Sequence, residues 1–92
     1  MSARPPLRLV FSREADKFLK DLQPKQYKQI VSKILDRTRD PEPHDSSKLQ
    51  GYPYRRVDSG EFRIIYRYDA DLFYIARVGK RNDDEVYRNL PN

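Results

Sequence analysis

The stretch FRIIYRYDADLFYIARV, residues 62–78, decides the fold of this chain of 92 residues. In its first part, residues 62–68, apolar and aromatic side chains alternate with other residues, a period of two that indicates a strand with one buried face. Its second part, residues 72–78, is almost continuously apolar and predicts an interior strand buried on both faces. Residues 69–71 (DAD) have the composition of a turn. We therefore expect two neighbouring antiparallel strands.

Two further strands are predicted in the same way. The segment around Tyr54–Val57 precedes the first strand and is joined to it by the turn DSGE, residues 58–61. Near the N-terminus, LRLVF, residues 7–11, also alternates and predicts a short strand. Residues 40–47 (DPEPHDSS) contain two prolines and no repeat, and are expected to form a loop.

Two helices are predicted between the N-terminal strand and that loop. Ser12 can cap a helix that begins at Arg13, and the dipeptide Gln23-Pro24 ends this helix and starts the second. In both segments apolar residues recur at the spacing of one helix face, which needs a sheet to cover. The members of these faces are Ala15, Phe18, Leu19 and Leu22, and then Tyr27, Ile30, Val31, Ile34, Leu35 and Thr38.

The predicted order of elements is β-α-α-β-β-β, followed by a short C-terminal helix. That helix is expected from Asp83, because Asn82 and Glu85 have the spacing of a capping box. The fold class is α+β, with an N-terminal strand and a helical hairpin packed on one face of a small, mainly antiparallel sheet. The length predicts a single domain over residues 1–92.

Composition limits the compartment and the partners. There are no cysteines, which excludes disulfides and thiolate metal sites and is typical of a reducing compartment. No apolar run reaches the length of a bilayer span and no secretion signal is recognisable, so a cytoplasmic protein without a membrane partner is expected. The net charge of +5 indicates polyanions or acidic proteins as partners.

Several kinds of catalytic site are excluded by what the chain lacks. It has one histidine, His44, in a proline-flanked loop, so a pair of histidines cannot perform acid–base catalysis. No cluster of histidines or cysteines offers metal ligands, and Asp69 and Asp71 are interpreted as turn formers. Basic residues interleaved with tyrosines suit a surface that binds RNA, although a sheet with an aromatic core and solvated arginines has the same composition.

Lysine, arginine and tyrosine are sufficient for one reaction of RNA. The substrate supplies its own nucleophile, the 2′-OH, and the products carry a 2′,3′-cyclic phosphate and a 5′-OH. The protein then has to align these atoms and stabilise the charge on the phosphate, for which arginine is well suited. This composition permits the mechanism without a metal or a cofactor.

Three segments resemble the RelE branch of the RelE/ParE toxin superfamily. They are KLQGYP (48–53), GEFRIIY (60–66) and VGKRNDDEVY (78–87). Together with the helical hairpin, the likeness covers nearly the whole chain. It implies the toxin of a type II toxin–antitoxin module, an endoribonuclease that cleaves mRNA in the ribosomal A site without a metal. The implied partners are the ribosome, mRNA and a separate acidic antitoxin, with which the toxin forms a hetero-oligomer.

The resemblance also implies roles for individual residues. Arg63 matches the family's arginine that binds the scissile phosphate, and Arg81 the one that stabilises the transition state or protonates the leaving group. Tyr87 matches the tyrosine that positions or deprotonates the 2′-OH, or stacks on a base. The residues expected to bind RNA are Lys48, Arg55, Arg56 and Lys80.

One position departs from the family pattern. Family members place two cations at alternate positions on the strand before the hairpin. Here Arg56 fits the first position and Asp58 occupies the second, whereas a shifted gap would put Arg55 and Val57 at the two positions. Asp58 is therefore a candidate general base, alternatively a turn residue, and Tyr87 is the other candidate base. Two other functions stay open: a ParE-like inhibitor of DNA gyrase, and a catalytically weakened RNA-binding relative.

Overall fold

Two helices and five strands make up the part of the chain that the computed structural model describes, which is residues 8–40, 46–82, 87 and 90. In order they are β1 (Arg8–Phe11), α1 (Arg13–Lys20), α2 (Pro24–Arg39), β2 (Ser46–Lys48), β3 (Arg55–Ser59), β4 (Phe62–Tyr68) and β5 (Leu72–Lys80). The predicted α+β class is confirmed. The expected helix from Asp83 and the loop residue His44 lie outside the described residues.

The five strands form one sheet in the order β1-β5-β4-β3-β2. Strand β1 runs parallel to β5 and every other pair is antiparallel, which confirms the mainly antiparallel prediction. Strand β5 is interior, as predicted. The loop prediction for residues 40–47 was wrong at its end, because Ser46 and Ser47 belong to β2. As an edge strand with exposed side chains, β2 needs no apolar alternation, and so the sequence carries no sign of it.

Ser12 fixes the start of α1 and ties it to the sheet. Its Oγ accepts a hydrogen bond from the backbone N–H of Ala15 at 3.0 Å, so the predicted N-cap is confirmed. The same hydroxyl donates to the carbonyl oxygen of Ala76 at 2.6 Å, a contact between residues 64 positions apart. Ser12 is 9% exposed, so both bonds are shielded from water.

Helix α2 begins at Pro24, as predicted, because a proline at the first helical position loses no internal hydrogen bond. Its buried face is narrower than the sequence indicated. Ile30 and Ile34 are fully buried, whereas Tyr27 and Leu35 are 45% and 50% exposed. The helix therefore touches the sheet along one ridge. Neither described helix combines the length and the apolar character needed to cross a membrane.

A β-bulge shifts the register of the β4–β5 pair. Ile65 lies opposite Arg77 and Tyr66 lies opposite Ile75, so Ala76 is an extra residue on β5. Because of this insertion, Ile75 and Val78 both reach the core beneath the helices although they are three residues apart. In a regular strand, residues at that spacing point to opposite faces.

The sheet has apolar contacts on both faces. The core under the helices contains Ala15, Leu19, Ile30, Ile34, Val57, Phe62, Ile64, Tyr66, Phe73, Ile75 and Val78. On the opposite face a smaller cluster contains Tyr54, Ile65, Ala76 and Leu90, with Leu49, Tyr74 and Tyr87 packed against it. This second face of the sheet is thus covered only in part by apolar contacts.

We expect Ser12→Ala to lower the free energy of unfolding by about 1–3 kcal/mol, since it removes a helix cap and leaves the buried Ala76 carbonyl without its donor. Chemical denaturation followed by circular dichroism measures the change. Ser32→Ala is the matched control, because Ser32 is exposed within α2. Equal stabilities of the two variants would show that the Ser12 hydroxyl does not hold α1 to the sheet.

Candidate functional site

The pairing of β3 with β4 selects which side chains reach the uncovered face. Val57 pairs with Ile64, and both are buried beneath the helices. Their neighbours therefore point the other way, and Asp58 lies directly opposite Arg63 while Arg56 lies opposite Ile65. The alternation that builds the core thus places one acidic and two basic side chains together on the opposite face.

Arg63 and Asp58 form a two-pronged ion pair. Arg63 Nε donates to Asp58 Oδ1 at 2.8 Å, and Nη2 donates to Oδ2 at 3.4 Å. The Arg63 side chain is 15% exposed and that of Asp58 is 39% exposed, so the pair sits at the edge of solvent. The hydrogen bond from Asp58 raises the pKa of the Arg63 guanidinium, which stays charged.

Tyr87 joins these residues into one network. Its hydroxyl oxygen accepts from Arg63 Nη1 at 2.6 Å and from Arg56 Nη1 at 3.1 Å. The guanidinium carbon of Arg63 also lies 5.9 Å from the centre of the Tyr87 ring. We call Arg56, Asp58, Arg63 and Tyr87 the Tyr87 cluster. Its members come from β3, β4 and the C-terminal segment, and each of them is a site residue predicted from the sequence.

Lys80 and Arg81 lie at the end of the sheet nearest Arg63. Arg63 is paired with Gly79, which presents no side chain beside it. The next residues are exposed, and the backbone N–H of Arg81 donates to the carbonyl of Glu61 at 2.8 Å, which extends the pairing beyond β5. They line a shallow depression of about 530 Å³ together with Gly60, Glu61 and Asn82.

Lys48 and Arg55 are not part of the Tyr87 cluster. Arg55 is paired with Lys48 on one side and with Tyr66 on the other, so it belongs to the sheet face that bears the helices. Its Nε and Nη2 donate to Ser46 Oγ at 3.2 and 3.0 Å.

The directions of the β3 side chains distinguish the two alignments of β3 with the family's pair of cations. Val57 is 2% exposed, and Arg55 lies on the same helix-bearing face of the sheet. Arg56 and Asp58 lie on the opposite face, in the Tyr87 cluster. The shifted alignment therefore does not bring its two residues to the site. The reading of Asp58 as a turn residue was also wrong, because Asp58 lies within β3 and pairs with Arg63.

Arg67 was not predicted as a site residue. It is exposed, and its guanidinium carbon lies 5.0 Å from the centre of the Tyr74 ring and 5.9 Å from that of Tyr54. The available signal was its position four residues after Arg63 in an alternating strand, which gives the two arginines the same face. The stacking on two rings depends on the sheet pairing and could not be read from the local sequence.

The Tyr87 cluster can bind an anion and stabilise charge on an oxygen atom. Guanidinium groups match the geometry of phosphate, and two of them donate hydrogen bonds to the Tyr87 oxygen. Asp58 accepts hydrogen bonds from Nε and Nη2 of Arg63, the pair of donors that a phosphate would use. In residues 8–40 and 46–82, no three histidine, aspartate or glutamate side chains are grouped as metal ligands.

Residues 9–85 match the family model described as the ParE toxin of the type II toxin–antitoxin system parDE. No curated relative matches the chain by sequence. Among solved structures, the fold is similar to the RelBE2 toxin–antitoxin complex of Mycobacterium tuberculosis, with a TM-score of 0.73 and 24% identity over 90% of this chain and 100% of that one.

Two further structures share the fold. A free double arginine-to-alanine mutant of Escherichia coli RelE has a TM-score of 0.75 at 23% identity, covering 92% of this chain and 94% of that one. The YoeB dimer of Staphylococcus aureus has a TM-score of 0.66 at 24% identity, covering 88% of this chain and 100% of that one. At these identities the likeness establishes the fold.

We expect Tyr87→Phe to lower the free energy of unfolding by about 1–2 kcal/mol, because two guanidinium groups lose their shared acceptor. Thermal unfolding measures the change. Tyr27→Phe is the matched control, since Tyr27 is 45% exposed on α2, and it should alter stability by less than about 0.5 kcal/mol. A Tyr87→Phe protein as stable as the control would mean that the Tyr87 hydroxyl does not anchor the C-terminal segment.

Proposed function

The chain belongs to the ParE toxin family of type II toxin–antitoxin systems, and from that premise we propose that this RelE-like toxin is a ribosome-dependent endonuclease that cleaves mRNA in the A site. The observation that carries the proposal is the Tyr87 oxygen held between Arg56 and Arg63 at 3.1 and 2.6 Å. A protein that acts only by binding has no need for a phenol oxygen polarised by two cations.

The reaction requires in-line attack of the 2′-OH on the adjacent phosphorus. The bond from the 2′ oxygen to phosphorus forms and the bond to the 5′ oxygen breaks, which leaves a 2′,3′-cyclic phosphate and a 5′-OH. Arg63 binds the scissile phosphate through the fork that Asp58 occupies in the free protein. Arg56 lies alongside and adds positive charge where the pentacoordinate phosphorus carries extra negative charge.

Proton transfer has two candidate acceptors in this cluster. The Tyr87 oxygen, as phenolate, would accept the proton of the 2′-OH, with its charge stabilised by the two guanidinium groups. Asp58 is the second candidate and would act once the phosphate has displaced it from Arg63. Arg81, just beyond the end of β5, would stabilise the developing charge on the departing 5′ oxygen, which takes up a proton from solvent to become the 5′-OH. None of these steps requires a metal ion.

The proposed partners follow from charge and from the relatives. The M. tuberculosis relative was solved as a toxin–antitoxin complex, and the net charge of +5 suits an acidic antitoxin and RNA alike. We propose a hetero-oligomer with such an antitoxin as the resting form. Lys80, Lys48 and Arg55 would contact ribosomal RNA or mRNA outside the Tyr87 cluster. The site of action would be the cytoplasm, where ribosomes translate mRNA.

Inhibition of DNA gyrase is the second candidate function, because the matching family model is that of ParE toxins. The fold alone does not distinguish the two. A third reading, a catalytically weakened RNA-binding relative, is favoured by the neutralisation of Arg63 by Asp58. We rank the nuclease first, and the cluster of Arg56, Arg63 and Tyr87 supports that ranking.

Induced expression distinguishes these functions. We expect translation to stop, with mRNA cut within codons at the ribosomal A site, as mapped by sequencing of 5′-OH ends. The control is co-expression of the antitoxin, which should restore translation. Loss of plasmid supercoiling with intact mRNA would instead assign the protein to gyrase, and arrest with neither change would support the weakened relative.

Arg81→Ala should lower the cleavage rate on programmed ribosomes by about 100-fold or more, because one charge-stabilising donor is removed. The variant should keep its melting temperature and its antitoxin binding, since Arg81 is exposed. Arg39→Ala controls for the loss of one positive charge, because Arg39 ends α2 on the helix side of the sheet. Equal rates for the two variants would remove Arg81 from the mechanism.

Asp58→Asn tests which group accepts the proton. If Tyr87 is the acceptor, the variant binds RNA more tightly and retains cleavage within about tenfold, because a negative charge beside the phosphate is lost. Should Asp58 be the general base, the rate falls by about 100-fold or more, because the asparagine amide does not accept the proton of the 2′-OH. Single-turnover cleavage at several protein concentrations, from pH 4.5 to 9, measures the cleavage rate and the RNA affinity.

A further inference from the structure

Arg67 lies on the same sheet face as the Tyr87 cluster but outside it. Its guanidinium carbon is 5.0 Å from the centre of the Tyr74 ring and 5.9 Å from that of the Tyr54 ring. Tyr54 is 1% exposed and Tyr74 is partly buried, so the rings are held by the sheet and form a fixed platform. An arginine stacked on such rings keeps its position at a lower entropic cost than a free side chain.

The contacts of the Arg67 guanidinium with the two tyrosine rings leave its N–H groups available to donate to an external anion. Other arginines of the sheet are engaged by oxygen atoms: Arg63 by Asp58, Arg55 by Ser46 and Arg77 by Glu14. Within the described ranges, Arg67 is instead held by the two tyrosine rings. An exposed arginine that is oriented by aromatic rings can donate to an external anion without first breaking an internal ion pair.

Two depressions adjoin Arg67 at the rim of the sheet. The first, of about 210 Å³, is lined by Arg67 and Tyr54 together with Lys48, Pro53, Arg55 and Tyr68. The second, of about 260 Å³, also contains Arg67 and includes the acidic Asp69. The first therefore has three cations around an aromatic floor, the combination that binds single-stranded nucleic acid.

The distance between Arg63 and Arg67 along β4 relates the surroundings of Arg67 to the Tyr87 cluster. Arg63 and Arg67 are four residues apart in one regular strand, which corresponds to about 13 Å. Both point away from the helices. A single strand of RNA with one phosphate at Arg63 can therefore place another phosphate, a few nucleotides away, at Arg67.

We propose that Arg67, held on Tyr54 and Tyr74, forms a second phosphate-binding subsite for single-stranded RNA. The inference rests on the proposed function, since it extends the RNA path from the Tyr87 cluster toward β2. Lys48 and Arg55 belong by their strand positions to the helix-bearing face and meet this path only at the rim of the sheet, where they line the first depression.

The test is equilibrium binding of a fluorescent single-stranded RNA hexanucleotide to the whole protein, measured by anisotropy between 20 and 200 mM salt. We expect Arg67→Ala to weaken binding about fivefold and to reduce the slope of log affinity against log salt by about 0.7, the value for one lost phosphate contact. Arg67→Lys should keep the slope and lose part of the affinity, because an ammonium does not stack flat on the rings.

Arg39→Ala is the charge-matched control and should change affinity less than twofold. The proposal is overturned if Arg67→Ala behaves like this control, or if the unaltered protein does not bind the hexanucleotide at the lowest salt. It is also overturned if Arg67→Ala leaves RNA binding intact but weakens binding of the acidic antitoxin. In that case the surface serves a protein.

Failure of this subsite and failure of the proposed function give different results. An expressed protein that leaves mRNA intact, yet binds the hexanucleotide in an Arg67-dependent manner, would refute the nuclease and keep the subsite. Cleavage on ribosomes, combined with hexanucleotide binding that does not depend on Arg67, would support the nuclease and refute the subsite.

Discussion

The hydrogen-bonded pairing of β4 with β5, displaced by one residue at Ala76, is the constraint on which the rest of the structure depends. It places Ile64, Tyr66 and Val78 beneath the helices, and by alternation it turns Arg63 and Arg67 to the opposite face. The same displacement allows Ala76 to serve the second apolar cluster while its carbonyl receives the Ser12 hydroxyl. One local irregularity thus affects the core, the attachment of α1 and the face that bears the Tyr87 cluster.

The Tyr87 cluster lies at the border between the covered and the uncovered parts of that face. Tyr87 packs its ring against the cluster of Tyr54, Ile65 and Ala76 and points its hydroxyl at the arginines. Partial burial strengthens the hydrogen bonds of these charged groups relative to water, and the balanced charges of Arg63 and Asp58 keep the cost of that burial low. The Tyr87 cluster is therefore held by contacts within the chain, and its position follows from the packing of one aromatic ring.

Much of this could be predicted from the sequence, because the relevant signals are local. The alternation of β4, the cap at Ser12 and the proline that opens α2 each involve a few neighbouring residues. The resemblance of three motifs to a toxin family suggested Arg63, Arg81 and Tyr87 as site residues, and Arg63 and Tyr87 lie in contact. What was missed depends on pairing between distant segments. Strand β2 has no apolar pattern of its own, and the bulge at Ala76 becomes visible only when β4 lies beside β5. The ion pair of Asp58 with Arg63 and the stacking of Arg67 on Tyr74 require that same register.

The parallel pairing of β1 with β5 has a consequence for biosynthesis. Residues 8–11 find their strand partner in residues 72–75, and the bond from Ser12 to Ala76 closes a separation of 64 residues. Contacts of such long range form late, because the ends of a long loop must meet before any stabilisation results. Strand β1 therefore has no neighbour in the described sheet until β5 has been translated, and Tyr87 follows later still. The strand β1 and the bond from Ser12 to Ala76 thus join the sheet only after β5 has been synthesised, however early residues 8–12 leave the ribosome.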